Sequence, residues 1–191
     1  VKLRMLKQIC ENEDISGKEV ELAGYNSQTL VNAIIEGVLL EKNNLTNYLR
    51  SERFLLRPLH NLFFTRDSAM GMNNKMLIGK MANPVRDRES VIMDFIFNHH
   101  PLFETETLNP GTLNPGLARK LKYNIEGGDF QVARDDVFVI GTGVRTSTLG
   151  IDFIIEHIKQ TKKKAHHIIV QELPETPESF IHLDMVFTFL N

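Results

Sequence analysis

The 191-residue chain contains one cysteine, Cys10, so no disulfide can form within it. Charge of one sign is also missing: 22 Lys and Arg stand against 24 Asp and Glu, for a formal net charge of −2. That balance gives no electrostatic footprint for nucleic acid or an anionic membrane, and neither is expected as a partner. No apolar run approaches the roughly 20 residues that span a bilayer. The opening "VKLRMLKQICENED" has neither an apolar h-region nor a small-residue cleavage site, which argues against a signal peptide. These absences together fit a reducing, cytoplasmic setting. The chain starts on Val rather than Met, and its last apolar stretch runs straight into Asn191. Both features suggest a piece of a longer protein.

Apolar residues make up 42% and charged residues 24%, ordinary proportions for a globular chain. The length suffices for one domain with a proper core, or one domain with a small appendage. Residues 1–50 read as helical. Leu3, Leu6, Ile9 and Cys10 recur at helical spacing, and Ser27 is a candidate N-cap for "QTLVNAIIEGVLLEKN". "NLTNYLRSE" reads as a short further helix. From residue 51 the period changes. "NLFFTRD" and "NKMLIGKM" read as strands on either side of a turn at Met72–Asn74, and "PVRDRESVIMDFIFNHHPLF" as a helix ending before Pro101. The tandem "TLNPGTLNPG" at 107–116 is turn chemistry and reads as a loop. "KYNIEGGDFQVARDDVFVIGTG" reads as three short strands separated by a Gly turn and an Asp135–Asp136 turn. "TSTLGIDFIIEHIKQTKK" reads as a helix with Lys at its C-terminal end, and "HHIIVQEL" and "FIHLDMVFTFL" as two more strands. Strand–strand–helix–strand thus occurs twice, an α/β pattern of repeated modules with a mixed sheet.

Polar residues that interrupt these strands are the candidates for chemistry. Asp67 closes "NLFFTRD", Glu126 precedes Gly127–Gly128, and Arg145 follows "VIGTGV". His182 and Asp184 sit two apart in the last apolar run, so a strand there would project both from one face. Taken singly, each has a plain structural reading as a turn residue, a cap, a surface ion pair or a hydrogen-bonded core histidine. Taken together they lie at strand ends, where ligands of α/β sheets gather. Three carboxylates and an imidazole can hold a divalent metal. They can equally hold a guanidinium, whose planar fork of N–H donors matches carboxylate oxygens. Arg86 and Arg145 favour the second, because Arg is a poor neighbour for a metal cation and a good clamp for a substrate carboxylate.

"NLFFTRD", "NIEGGDF", "GVRTS" and "FIHLDMVFT", with "PVRDRE" between the first two, resemble in wording and order the motifs of arginine deiminase, in the guanidino-group-modifying superfamily. The likeness covers residues 55–191, and the first third resembles that family's inserted helical domain. The resemblance implies an α/β fold that is part of a five-bladed β/α propeller built from ββαβ modules. Residues 1–50 would be the helical insertion and 51–191 a partial catalytic domain, truncated at its C-terminal end. It implies hydrolysis of L-arginine to L-citrulline and ammonia through a Cys-thiouronium, with no metal or organic cofactor. Asp67 and Asp184 would grip the guanidinium, His182 would be the general acid/base, and Glu126 would orient that imidazole. Arg86 and Arg145 would clamp the substrate α-carboxylate, while Asn61 and Phe64 would line the pocket. Asp129 reads as a turn residue, and Cys10 as a small buried core residue. The attacking Cys would then lie on sequence this chain lacks, leaving the chain alone inactive. An amidinotransferase or dimethylarginine hydrolase, a non-catalytic arginine-binding module and a metal-dependent hydrolase stand as alternatives, and a homo-oligomer is left open.

Overall fold

The computed structural model describes residues 1–113, 123–161 and 165–190. The first part is helical: α1 (Lys2–Asn12), α2 (Glu19–Ala23), α3 (Ser27–Glu36) and α4 (Leu45–Leu49). The cap of α3 is Asn26, whose side chain accepts from the Thr29 N–H; Ser27 is already helical. The helix stops at Glu36, short of its expected end, because Gly37 takes φ +88° and a Cβ there would meet backbone of Leu56 and Pro58. The chain then enters β1 (Val38–Leu39), antiparallel to β2 (Phe54–Leu56). Leu6, Ile9, Cys10, Leu22, Leu30, Ile34 and Leu56 form the core of this region.

Two modules follow. In the first, β3 (Ala69–Met72) and β4 (Lys75–Ile78) form an antiparallel hairpin. Helix α6 (Asp87–His99) then crosses over to β5 (Glu106–Leu108), which lies parallel to β4. In the second, β6 (Phe130–Arg134) and β7 (Val137–Thr142) are antiparallel, and α8 (Thr148–Thr161) leads to β8 (His167–Glu172), parallel to β7. This is the expected ββαβ unit, twice, and the architecture is mixed α/β. An antiparallel bridge between Lys80 and Ile125 joins the modules. Met70, Leu77, Ile125, Phe138, Ile140 and Ile154 pack in one apolar cluster beneath both. Among the described residues no helix is long and apolar enough to cross a membrane.

Several local expectations are corrected. "NLFFTRD" is not a strand: it turns through Asn61–Phe64 into the one-turn helix α5 (Thr65–Ser68), and the first strand of the module is β3. The reason lies in the burial pattern. Phe63 and Phe64 are exposed, whereas Met70 and Met72 two residues apart are buried. "NIEGG" contributes only the bridge at Ile125 before a 3₁₀ turn at Gly127–Asp129. The described part of "TLNPGTLNPG" is not a loop throughout, since it ends β5 and then forms the short helix α7 (Pro110–Leu113). Asn114–Gly116, and the lysines at 162–164, lie outside the described residues. "FIHLDMVFTFL" forms 3₁₀ turns at Glu178–Phe180 and Leu183–Met185 rather than a strand. Side chains take the place of a ladder there: Asp129 accepts from the Leu183 N–H, and Gln131 donates to the Phe187 carbonyl. Helix α6 ends at His99, immediately before the extended His100 and Pro101, as expected.

Candidate active site

Four separate segments bring polar side chains together beside the bridge between the modules. Asp67 comes from α5, Glu126 from the residue before the 3₁₀ turn, Arg86 from the turn leading into α6, and His182 from the C-terminal segment. His182 Nε2 lies 3.0 Å from Glu126 Oε2, and His182 Nδ1 lies 3.9 Å from Asp67 Oδ1. The Glu126 carboxylate is fully buried. Its Oε1 accepts from the Ala82 N–H at 2.8 Å and lies 3.8 Å from the Arg145 guanidinium. Its own backbone N–H donates to Thr146 Oγ1 at 3.1 Å. The neighbouring Ser147 takes the capping role for α8, its Oγ accepting from the Gly150 N–H. Gly128 makes room for the histidine: a Cβ there would stand 2.5 Å from His182 Nδ1.

These contacts move the protonation equilibria in opposite directions. Burial alone would push the His182 imidazole down. The hydrogen bond to Glu126 and the charges of Asp129 and Asp67 outweigh it, and its pKa is raised. Burial would likewise raise the Glu126 carboxyl, but the His182 and Ala82 hydrogen bonds and the Arg145 charge win, and its pKa is lowered. The pair is therefore set towards imidazolium and carboxylate. Asp129 stands behind it. One oxygen takes the Leu183 N–H at 2.9 Å, and the whole carboxyl is buried, with the Thr146 hydroxyl beside it. Burial pushes its carboxyl up to about 6.

The remaining expected residues are placed as follows. Arg86 is buried and turned inward: Nε and one terminal nitrogen donate to the two Glu89 oxygens at 3.0 and 2.8 Å, and the other donates to Asp67 at 2.9 Å. That last nitrogen also lies 3.7 Å from Glu126. Arg145 is three-quarters buried, and among the described residues its nearest ion-pair contact is Glu126 at 3.8 Å. Asp184 is half-buried on the 3₁₀ turn after His182, 4.0 Å from Arg66. Arg66 in turn donates to the carbonyls of Gly127 and Phe130, tying α5 to the second module. Asn61 and Phe64 are exposed at the turn into α5, the Asn61 carbonyl accepting from the Phe64 N–H.

Sequence reasoning passed over Glu89 and the buried side of Asp129. The i, i+3 spacing of Arg86 and Glu89 in "PVRDRE" was the signal for the first. Nothing local marks the second, because its partner is 54 residues away. Asp67, Glu126 and His182 also present three donor atoms within 4.8 Å of one another, a spacing that suits a metal ion. A cation of the chain itself already stands against two of them, since Arg86 reaches both Asp67 and Glu126.

The sequence profile of the arginine deiminase family matches residues 16–191. The arginine deiminase 1 of Staphylococcus epidermidis (strain ATCC 12228) is 36% identical over 188 residues, covering 93% of this chain and 44% of that protein. Those of Bacillus cereus (strain ATCC 10987) and Listeria monocytogenes serotype 4a (strain HCC23) are 32% and 30% identical over 177 residues, each covering 89% of this chain and 42% of the relative. A solved dimethylarginine dimethylaminohydrolase adduct with 4-chloro-2-hydroxymethylpyridine has a TM-score of 0.47 and 18% identity, over 69% of this chain and 47% of that one. The chain thus spans less than half the length of the curated relatives it matches. With 176 of its residues under one family profile, this chain belongs to the arginine deiminase family.

Proposed function

We propose that these residues are the guanidinium-holding and proton-transferring part of an arginine deiminase site, which converts L-arginine and water to L-citrulline and ammonia. The observation that carries the reading is the His182–Glu126 pair at 3.0 Å, with Asp67 on one side and the Arg145 fork on the other. A free guanidinium is a poor electrophile, because its charge is delocalised and it stays protonated. Asp67 and Asp184 hold it so that its carbon faces an attacking thiolate. The thiolate adds to that carbon, His182 protonates the departing nitrogen, and ammonia leaves. His182 then takes a proton from water, the water oxygen adds to the thiouronium carbon, and the C–S bond breaks to release citrulline. A raised pKa suits the first of these transfers, since the imidazole must be protonated near neutral pH. Arg145 clamps the α-carboxylate, and Arg86 steadies Asp67.

In this reading Cys10 is not the nucleophile. It is buried among Leu6, Ile9 and Leu22 in the helical region, and burial pushes its thiol up, away from the reactive thiolate. The thiolate comes from protein sequence other than these 191 residues.

Titration calorimetry of the 191-residue chain with L-arginine and agmatine tests the reading. Arginine binding without metal supports it, and binding of a divalent metal in place of arginine favours the metal-dependent alternative. In the protein expressed from its whole gene, Arg145→Lys keeps the charge but loses the planar fork. Losing a charge-assisted pair costs roughly 1.5–3 kcal/mol, or about 10- to 100-fold in affinity. The loss is expected for arginine and not for agmatine, which lacks the carboxylate. Equal losses on both ligands would remove Arg145 from the clamp.

A further inference from the structure

The first turn of α6 carries charged residues that are buried and turned in different directions. Asp87 faces the end of β4, where Lys80 Nζ lies 2.5 Å from its carboxylate. Glu89 faces the candidate site and holds Arg86 with both oxygens. Arg88 faces the other way, into the helical region. It is fully buried, and among the described residues its guanidinium has no carboxylate nearer than Glu13, 3.9 Å away. Glu13 caps the end of α1, and its side chain is only 3% exposed. Its second oxygen accepts from Arg57 Nε at 2.9 Å, and Arg88 donates to the Arg57 carbonyl. A buried guanidinium is costly unless a counter-charge stays in place. This one is two residues from Arg86 and one from Glu89, so its anchorage sets where the start of α6 lies. Val91 and Ile92, one turn further on, pack against the core of the helical region.

We infer that Glu13 is a positioning residue: through Arg88 it fixes the start of α6, and so holds the Arg86–Glu89 unit against Asp67. The helical region is then part of the site's geometry, although none of its residues touches His182, Glu126 or Asp67 with a charged group. The inference rests on the proposed reading only in taking those residues as the site. Its test needs no substrate. If Glu13 is neutralised, the buried Arg88 guanidinium loses its counter-charge, and the charged anchorage of the start of α6 remains only on the Lys80 side. Arg86 then withdraws from Asp67, and the Asp67 charge acts more fully on the imidazole 3.9 Å from it.

The experiment is an NMR titration of His182 in the protein expressed from its whole gene, labelled at histidine and assigned by His182→Gln. Glu13→Gln is expected to raise the His182 midpoint by roughly half a unit to one unit, the low end of what a nearby charge produces. Arg88→Met, which removes the buried cation while Glu13 keeps Arg57, is the second variant and is expected to shift it the same way, with the melting temperature of each variant measured alongside. Leu22→Ala, in the same apolar cluster, is expected to lower the melting temperature and leave the midpoint unchanged. An unmoved midpoint in Glu13→Gln and Arg88→Met would overturn the inference, as would an equal shift in Leu22→Ala. Failure to bind arginine would strike the proposed function and leave this result standing.

Discussion

Asp129 stores a protonation-linked cost at the centre of the site. Its ordinary pKa of 3.8 is pushed up to about 6 by burial, so the folded protein binds this proton more tightly than the unfolded chain does. The contribution of this carboxyl to stability is therefore greatest below 3.8, falls as pH rises to about 6, and is level above that. Asp129→Asn retains an acceptor for the Leu183 N–H and carries no charge. Its melting temperature relative to the parent is expected to rise between pH 4 and 6.5 and then to level off, which thermal melts across pH 4–8 will check. A constant difference over that range would mean that the carboxyl does not titrate on folding. Glu126 and His182 have linkages of their own, and that of His182 is weaker in Asp129→Asn, because the Asp129 charge is one of the causes of its raised pKa. The lowered Glu126 stabilises above its ordinary 4.5 and loses that contribution as pH falls through its folded value. The raised His182 stabilises below its ordinary 6.5 and loses that contribution as pH rises through its folded value.

At the scale of the element, the caps decide where helices begin, and they are only partly readable from residue type. Asn26 and Ser27 are both good N-cap residues and stand side by side. Asn26 has the extended backbone and accepts from the Thr29 N–H, so Asn26→Ala is expected to cost about 1 kcal/mol in urea denaturation. Ser27→Ala is expected to be silent within about 0.5 kcal/mol, because Ser27 is an exposed first-turn residue. A larger loss for Ser27→Ala than for Asn26→Ala would contradict the assigned cap. The strand expected at His182 failed for a related reason. Apolar alternation predicts a half-buried strand, but in this segment only Leu183 is buried, against Val139 and Leu173. Its backbone is met by Asp129 and Gln131 rather than by a neighbouring strand.

Across the whole molecule the apolar core divides. One cluster lies within the helical region, a second beneath the two modules and a small third joins Leu183 to Val139 and Leu173, while α6 packs on α1 on one side and on β3, β4 and β5 on the other. Leu22→Ala and Ile154→Ala each delete a buried side chain and are expected to cost roughly 2–5 kcal/mol. Hydrogen exchange should separate them. Leu22→Ala is expected to speed exchange mainly in α1–α3, and Ile154→Ala mainly in β6, β7 and α8. Uniform acceleration by either variant would mean that the two clusters open as one cooperative unit.

Sequence alone determined the mixed α/β class with two ββαβ modules (though not which segments form the first and last strands of the first one), the stop of α6 before Pro101, and the candidate set of Asp67, Glu126, Asp184, His182, Asn61, Phe64, Arg86 and Arg145. Those features rest on local signals: periodicity, turn chemistry and short motifs whose residues are neighbours in the chain. Tertiary structure decided the partnerships. The Glu126–His182 pairing, which the family resemblance implied, is a contact across 56 residues that no local pattern carries. That Arg86 faces Asp67 and Glu89, and that Asp129 is a buried carboxylate rather than only a turn residue, depend equally on which segments come together. Burial and hydrogen bonding between distant segments set protonation and side-chain direction, and no pattern along a single stretch of chain encodes either.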